Sequence, residues 1–237
     1  TEGQPFRDVL LPMMVGGQQR WWSMTAKPLV NERGTPVGWR GVARDVTQAR
    51  HADRRLTWLA HNDTLTGLTN RAHFRVLLEK VLGGAKAREQ AGGPAHCGAV
   101  MCLDLDGFKN VNDTLGHATG DALLVEVARR LKEAAGRGQV VARLGGDEFA
   151  VLLQPLRQVD DARRIAREIG RAMQQPFDLG ASGCFRCGLS AGIATFPQDG
   201  DTIAALLDTA DRAMYRAKQA GRQHRRPLSG RPEGAAT

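Results

Sequence analysis

Gln139-Val140-Val141-Ala142-Arg143-Leu144-Gly145-Gly146-Asp147-Glu148-Phe149-Ala150-Val151-Leu152-Leu153-Gln154 is the stretch that decides the fold. Two short runs rich in Val and Leu, 139–144 and 149–154, flank a glycine pair and two acids. Such runs read as strands, and paired glycines between them suit a tight hairpin that needs positive φ. The tip of that hairpin then carries Asp147 and Glu148. A second acidic cluster, Asp104-Leu105-Asp106, ends another apolar strand over 98–105. An acid at the end of a buried strand is costly unless it is paired or bound to a cation. If the two strands are neighbours, Asp104 and Asp147 meet at one sheet edge. Hard oxygen ligands with open positions suit Mg²⁺, which binds through one or two carboxylates plus substrate phosphates. The plainer alternative is that these acids cap turns and helices, and Asp106 is a good N-cap for a helix over 107–115.

Working outward, helices and strands alternate. A helix follows Asn70 through Phe74, Leu77, Leu78 and Val81, and 85–94 reads as a polar, Gly-containing loop. A longer helix runs from about Asp121 to Ala135, then come a helix over 159–175, a strand over 186–195 and a helix over 202–220. Strands flanked by helices, with one internal antiparallel hairpin, make an α+β sandwich of at most three layers.

The N-terminal end reads differently. Residues 20–25 and 37–43 are strand patterns separated by a turn over 31–36, and two or three strands cannot bury a core alone. Over 47–62, Ala49, Ala52, Leu56 and Leu59 recur at spacings of 3, 4 and 3, an a/d seam. Either this helix packs on its own domain or it forms a short parallel coiled coil joining two chains. At about two heptads the pairing is marginal alone.

Composition limits the function classes. The chain has 237 residues, 42% hydrophobic and 24% charged, which excludes a collagen-like or wholly disordered protein. No apolar run approaches the roughly 18 residues needed to span a bilayer. Net charge is +8, but Arg222, Arg225, Arg226 and Arg231 lie in the Pro-, Gly- and Ser-containing stretch 222–237, of which 223–237 reads as a disordered basic tail. Aromatics are 5% and do not interleave with the basic residues, which argues against nucleic-acid binding. Cys184 and Cys187 have C-x-x-C spacing, but Cys97 and Cys102 do not supply a second pair for zinc. In a strand, residues three apart face opposite ways, so buried thiols are expected at all four positions. Few cysteines and no leader suggest a reducing, cytoplasmic setting, with a membrane-anchored parent left open. A start at Thr1 reads as a cut from a longer protein.

Three further stretches join the hairpin: Asp63-Thr64-Leu65-Thr66-Gly67-Leu68-Thr69-Asn70-Arg71, the run Asp104 to Asp121 (DLDGFKNVNDTLGHATGD), and Ala210-Asp211-Arg212-Ala213-Met214-Tyr215-Arg216-Ala217-Lys218 with Gly221 and Arg222. In this order, around Gly145-Gly146-Asp147-Glu148-Phe149, they resemble the GGDEF family of diguanylate cyclases. The first 47 residues, ending on Asp45-Val46-Thr47, resemble the last strands of a PAS sensor domain. The expected organisation is the end of a PAS domain over 1–47, a signalling helix or coiled-coil linker over 48–62, a GGDEF domain over 63–222, and the tail.

The resemblance implies a ferredoxin-like palm core with a mostly antiparallel sheet flanked by helices. It implies Mg²⁺-dependent condensation of two GTP into cyclic di-GMP, with Mn²⁺ as a substitute, by two domains facing each other in a homodimer. By position, Asp104, the carbonyl of Leu105, and Asp147 would hold the metal. Asp147 or Glu148 would help deprotonate the 3′-hydroxyl, and spacing does not separate ligand from base. Asn112 and Asp121 would read guanine, since an acceptor for the N1 and N2 hydrogens rejects adenine. Phe108, Gly145 and Gly146 would line the nucleotide, and Lys109, Lys218 and Arg222 would meet phosphate. His117 would contact guanine or ribose, or is a structural histidine in a turn.

The chain departs from the family pattern at Gly136-Arg137-Gly138-Gln139, where an Arg-x-x-Asp product-inhibition motif is common, so no inhibition is expected through that site. Gly107 stands where larger side chains are common, implying a roomier pocket. The rival function is a silent module that binds GTP or cyclic di-GMP and regulates a neighbouring domain such as a phosphodiesterase.

Overall fold

The computed structural model describes residues 4–92, 97–180 and 183–224, with the backbone alone for 221–224. The expected tail from 225 onward lies outside the described residues, and 223 and 224 are helical rather than tail. The chain divides into two compact units, Thr1–Ala60 and His61–Thr237.

The first unit is an antiparallel meander of β1 (Phe6–Val15), β2 (Gln18–Val30) and β3 (Pro36–Asp45), followed by α1 (Thr47–His61). Strand β1 escapes the sequence reading because Phe6–Val15 is a near-continuous apolar run with Pro12 inside it, without alternation. Asp45 and Thr47 fix the start of α1. The Thr47 amide donates to Asp45 Oδ1 (2.9 Å), and the Trp21 amide donates to Thr47 Oγ1 (2.8 Å). The Thr47 hydroxyl and amide hold the Asp45 carboxyl below the usual carboxylate range. Along α1 no residue is buried, and the seam leucines Leu56 and Leu59 are 66% and 39% exposed.

The second unit runs β4 (Thr69–Asn70), α2 (Arg71–Gln90), β5 (Cys97–Asp106), α3 (Phe108–Leu115), α4 (His117–Ala135), β6 (Val140–Gly145), β7 (Glu148–Leu156), α5 (Val159–Gln174), β8 (Phe177–Asp178), β9 (Cys184–Phe185), β10 (Gly188–Phe196) and α6 (Ile203–His224). Its five-stranded sheet has the order β10-β5-β7-β6-β4, antiparallel throughout except for β4 beside β6. Alternation along β5 builds both cores. Met101, Leu103 and Leu105 pack with α4 and α5 on one face, and Val100 and Cys102 pack with α2 and α6 on the other. The result is the α+β, mostly antiparallel sheet between helices that the sequence predicts.

Three expectations need correction. Residues 85–90 of the expected loop are the C-terminal end of α2, because Ala, Lys, Arg, Glu and Gln there are strong helix formers that outweigh Gly83 and Gly84. Helix α4 starts at His117, not near Asp121, since Gly116 at φ 83° suffices to break from α3. Asp106 is not the N-cap of α3. The N-cap of α3 is Gly107, left-handed at φ 78°, and Asp106 Oδ1 instead accepts from Ser190 Oγ at 2.7 Å. The cysteine expectation also fails in part. Cys102 and Cys187 are buried and Cys97 is half-buried, but Cys184 on the short strand β9 is exposed, and none of the four is in a disulfide.

Candidate active site

Pairing of β5 with β7 brings the two acidic clusters to one end of the sheet. The register sets Asp104 directly opposite Glu148, with Asp147 the preceding residue at the same sheet edge. Asp147 sits in the turn between β6 and β7, and its backbone carbonyl accepts from the Leu105 amide at 3.3 Å. The turn has the geometry its glycines imply, with Gly145 at φ 146° and Gly146 at φ 53°.

Asp104 is buried at 9% exposure, and its Oδ1 takes an ion pair from Lys218 Nζ at 2.5 Å. Lys218, expected beside phosphate, therefore sits on the carboxylate expected to hold metal. Arg222 is one turn further along α6, with its side chain outside the described residues. Beneath this acidic edge, burial first, then the charges of Asp211 and Glu148, push the Cys102 thiol up to about 12. Cys102 is thus a packing residue, not a nucleophile.

The opening stretch 63–71 folds under the hairpin, a part the sequence reading left without a role. Asp63 Oδ1 accepts from the Thr66 amide (2.8 Å) and hydroxyl (2.6 Å) and pairs with Arg143 (3.2 Å). Burial pushes the Asp63 carboxyl up, but Thr66 and Arg143 together hold it below its ordinary value. Arg143 Nε also donates to the Gly146 carbonyl at 3.0 Å. Arg71 donates from Nε to the Leu144 carbonyl (2.7 Å) and pairs with Glu148 Oε2 (3.1 Å). Both arginines hold the turn from behind; lying in quoted motifs was their only sequence signal.

The α3–α4 corner carries the other predicted residues. Phe108 is buried, Asn112 is half-buried, and Lys109, His117 and Asp121 are exposed. Asn112 Oδ1 is buried without a hydrogen-bond partner in the protein, an acceptor that water or a ligand group would complete. It lies against the bare Cα of Gly120. A Cβ there would overlap Asn112 Oδ1 and come within 3.3 Å of the Phe108 ring. Gly120 is thus a site-shaping residue absent from the predicted set. Among the described residues, no group of three or more His, Cys, Asp or Glu side chains is arranged as a metal cluster. The oxygen donors at the sheet edge are the pair Asp104 and Asp147 with the Leu105 carbonyl, a donor set whose chemistry suits a hard divalent cation that keeps water and phosphate ligands.

Comparison with known proteins is consistent along both units. The diguanylate cyclase GGDEF domain matches residues 60–224, and a PAS fold matches residues 1–51. The diguanylate cyclase TpbB of Pseudomonas aeruginosa is 47% identical over 182 residues, covering 76% of this chain and 40% of TpbB, so the chain spans well under half of that relative. The crystallised GGDEF domain of TpbB superposes with a TM-score of 0.63 at 46% identity, covering 68% of this chain and 90% of that one. The coiled coil and GGDEF domain of DgcB from Caulobacter crescentus, solved in complex with c-di-GMP, gives a TM-score of 0.64 at 27% identity, covering 74% of this chain and 90% of that one. No helix among the described residues is long and apolar enough to cross a membrane.

Proposed function

The chain belongs to the GGDEF diguanylate cyclase family, and from that premise we propose that it condenses two GTP into cyclic di-GMP with release of two pyrophosphates. The observation that carries the reading is the sheet edge where Asp104, Leu105, Asp147, Glu148 and Lys218 converge.

Each GGDEF domain holds one GTP, and two chains pair so that the 3′-hydroxyl of one nucleotide faces the α-phosphate of the other. Asp104, the Leu105 carbonyl and Asp147 would hold Mg²⁺, with Mn²⁺ as a substitute. Bound there, the cation would neutralise the triphosphate and polarise the α-phosphate. Asn112 Oδ1, unpaired in its cradle against Gly120, accepts from guanine, and Asp121 takes the second guanine donor. Rejection of adenine follows, because adenine would leave that acceptor buried and unmet. Gly145 and Gly146 let the backbone approach the nucleotide without a Cβ. Lys109 and Arg222 meet phosphates, and Lys218 shares its charge between Asp104 and phosphate. Asp147 or Glu148 accepts the 3′-hydroxyl proton. The exposed seam of α1 pairs the two chains, and the PAS segment before it regulates that pairing. Product inhibition through 136–139 is absent.

The test is Asp147→Asn. It should abolish turnover while leaving the melting temperature and binding of a non-hydrolysable GTP analogue in place. A variant as active as the native chain would overturn the assignment. Native chain that binds GTP but returns it intact would favour a silent regulatory module.

A further inference from the structure

We infer that Arg71 is a positioning residue for the reaction: it aims the Glu148 carboxylate and holds the glycine turn at the height the nucleotide needs. This role rests on the cyclase reading and extends it to a residue outside the acidic edge.

Arg71 is rooted where β4 runs into α2. It is the first residue of α2 and directly follows β4, whose Thr69 and Asn70 pair in parallel with Ala142 and Arg143 of β6. Asn70 also caps α2 by accepting from the His73 amide at 2.9 Å. The Arg71 backbone is therefore fixed to the strand that leads into the turn. From that base its guanidinium makes two contacts with different parts of the turn. Nε donates to the Leu144 carbonyl, the last residue before the glycine pair, and the second amino group reaches Glu148 Oε2, just after Asp147. One rigid fork thus spans the turn from entry to exit, a geometry that lysine, with one ammonium, cannot reproduce. A Cβ on Gly145 would lie 3.9 Å from the same guanidinium, so the fork runs alongside the bare glycine backbone.

The pair is too open to matter much for folding. The Arg71 and Glu148 side chains are 60% and 49% exposed, and ion pairs so open to water add little to stability. Orientation is another matter. Glu148 stands opposite Asp104 in the β5–β7 register, so its rotamer decides which way a carboxylate faces at the reacting edge. Without Arg71 that rotamer is free, and misplacement of about 1 Å at a reacting group can cost on the order of a hundredfold in rate.

The experiment compares native chain, Arg71→Ala, Arg71→Lys, Glu148→Gln and the Arg71→Ala/Glu148→Gln double variant in steady-state cyclic di-GMP formation, with thermal melts alongside. Arg71→Ala should lower kcat by about 10- to 100-fold, with KM for GTP within about threefold and the melting temperature nearly unchanged. Arg71→Lys should fall between. The double variant should be little worse than Glu148→Gln alone, because the two side chains act as one unit. Unchanged kcat, a rise in KM with kcat intact, losses that multiply in the double variant, or a rate loss matched by a large drop in melting temperature would each overturn the role. A native chain that forms no product overturns the cyclase reading and this role with it, whereas an active native chain isolates the failure to Arg71.

Discussion

Lys218→Met tests whether the buried carboxylate at the sheet edge depends on its ion pair. In the folded chain Lys218 Nζ lies 2.5 Å from Asp104 Oδ1, with the two side chains 23% and 12% exposed. Removing one partner of a fully buried pair costs about 3–5 kcal/mol, because a charge is left without compensation. Here some water reaches the pair, so the expected loss is about 2–3 kcal/mol. For a unit of this size that is a drop of about 5–10 °C in melting temperature. Met keeps most of the aliphatic volume, so lost packing adds little. The control is Asp104→Asn combined with Lys218→Met, which removes both charges and should regain most of the loss, giving a coupling of about 1–3 kcal/mol. Urea unfolding and thermal melts of all four proteins, without nucleotide, measure the cycle. A Lys218→Met chain within about 0.5 kcal/mol of native, or losses that simply add, would refute the reasoning, since that is the scale of an ordinary surface change.

Other expectations follow from different parts of the molecule. Gly120→Ala should separate stability from binding. A helical Ala is favoured over Gly by about 0.5–1 kcal/mol, yet its Cβ must displace the Asn112 amide, so KM for GTP rises about tenfold or more while the melting temperature holds or climbs. Equal KM would show that Asn112 does not read the base. On α4, Arg129 first, with Arg130, lowers the Glu126 carboxyl from its ordinary 4.5 to about 2. A carboxyl depressed on folding adds stability that is complete above about 4.5 and is lost as pH falls toward 2. Glu126→Gln should therefore cost about 1 kcal/mol at pH 7, and the gap from native should narrow in melts as pH falls from about 4.5 and close only below about 2. Iodoacetamide should label exposed Cys184 first, and Cys102, held protonated by burial, should stay unlabelled until the chain unfolds.

Much of this was legible in the residues because several local signals agreed. The glycine pair demanded positive φ, the unbroken apolar runs of β5 and β7 demanded burial on both faces, and acids at strand ends demanded compensation. What stayed hidden depended on partners distant in sequence. Arg71 and Glu148 are 77 positions apart and Lys218 and Asp104 are 114 apart, so neither contact leaves a local pattern. The meeting of Asp104 with Asp147 at one sheet edge depended on β5 lying beside β7, and the pairing register, which no local pattern states, sets Glu148 rather than Asp147 directly opposite Asp104. Asp106 looked like a cap, but Gly107 enters α3 in a left-handed conformation and leaves its carboxylate to Ser190. Gly120 was invisible for a simpler reason: its role is the absence of a side chain beside Asn112.

The most direct test of the central claim is to incubate the purified chain with GTP and Mg²⁺ at low and high protein concentration and resolve the nucleotides by chromatography. The account predicts cyclic di-GMP and pyrophosphate, with a rate that rises faster than linearly with protein because two domains must meet. GTP returned intact at every concentration would contradict it.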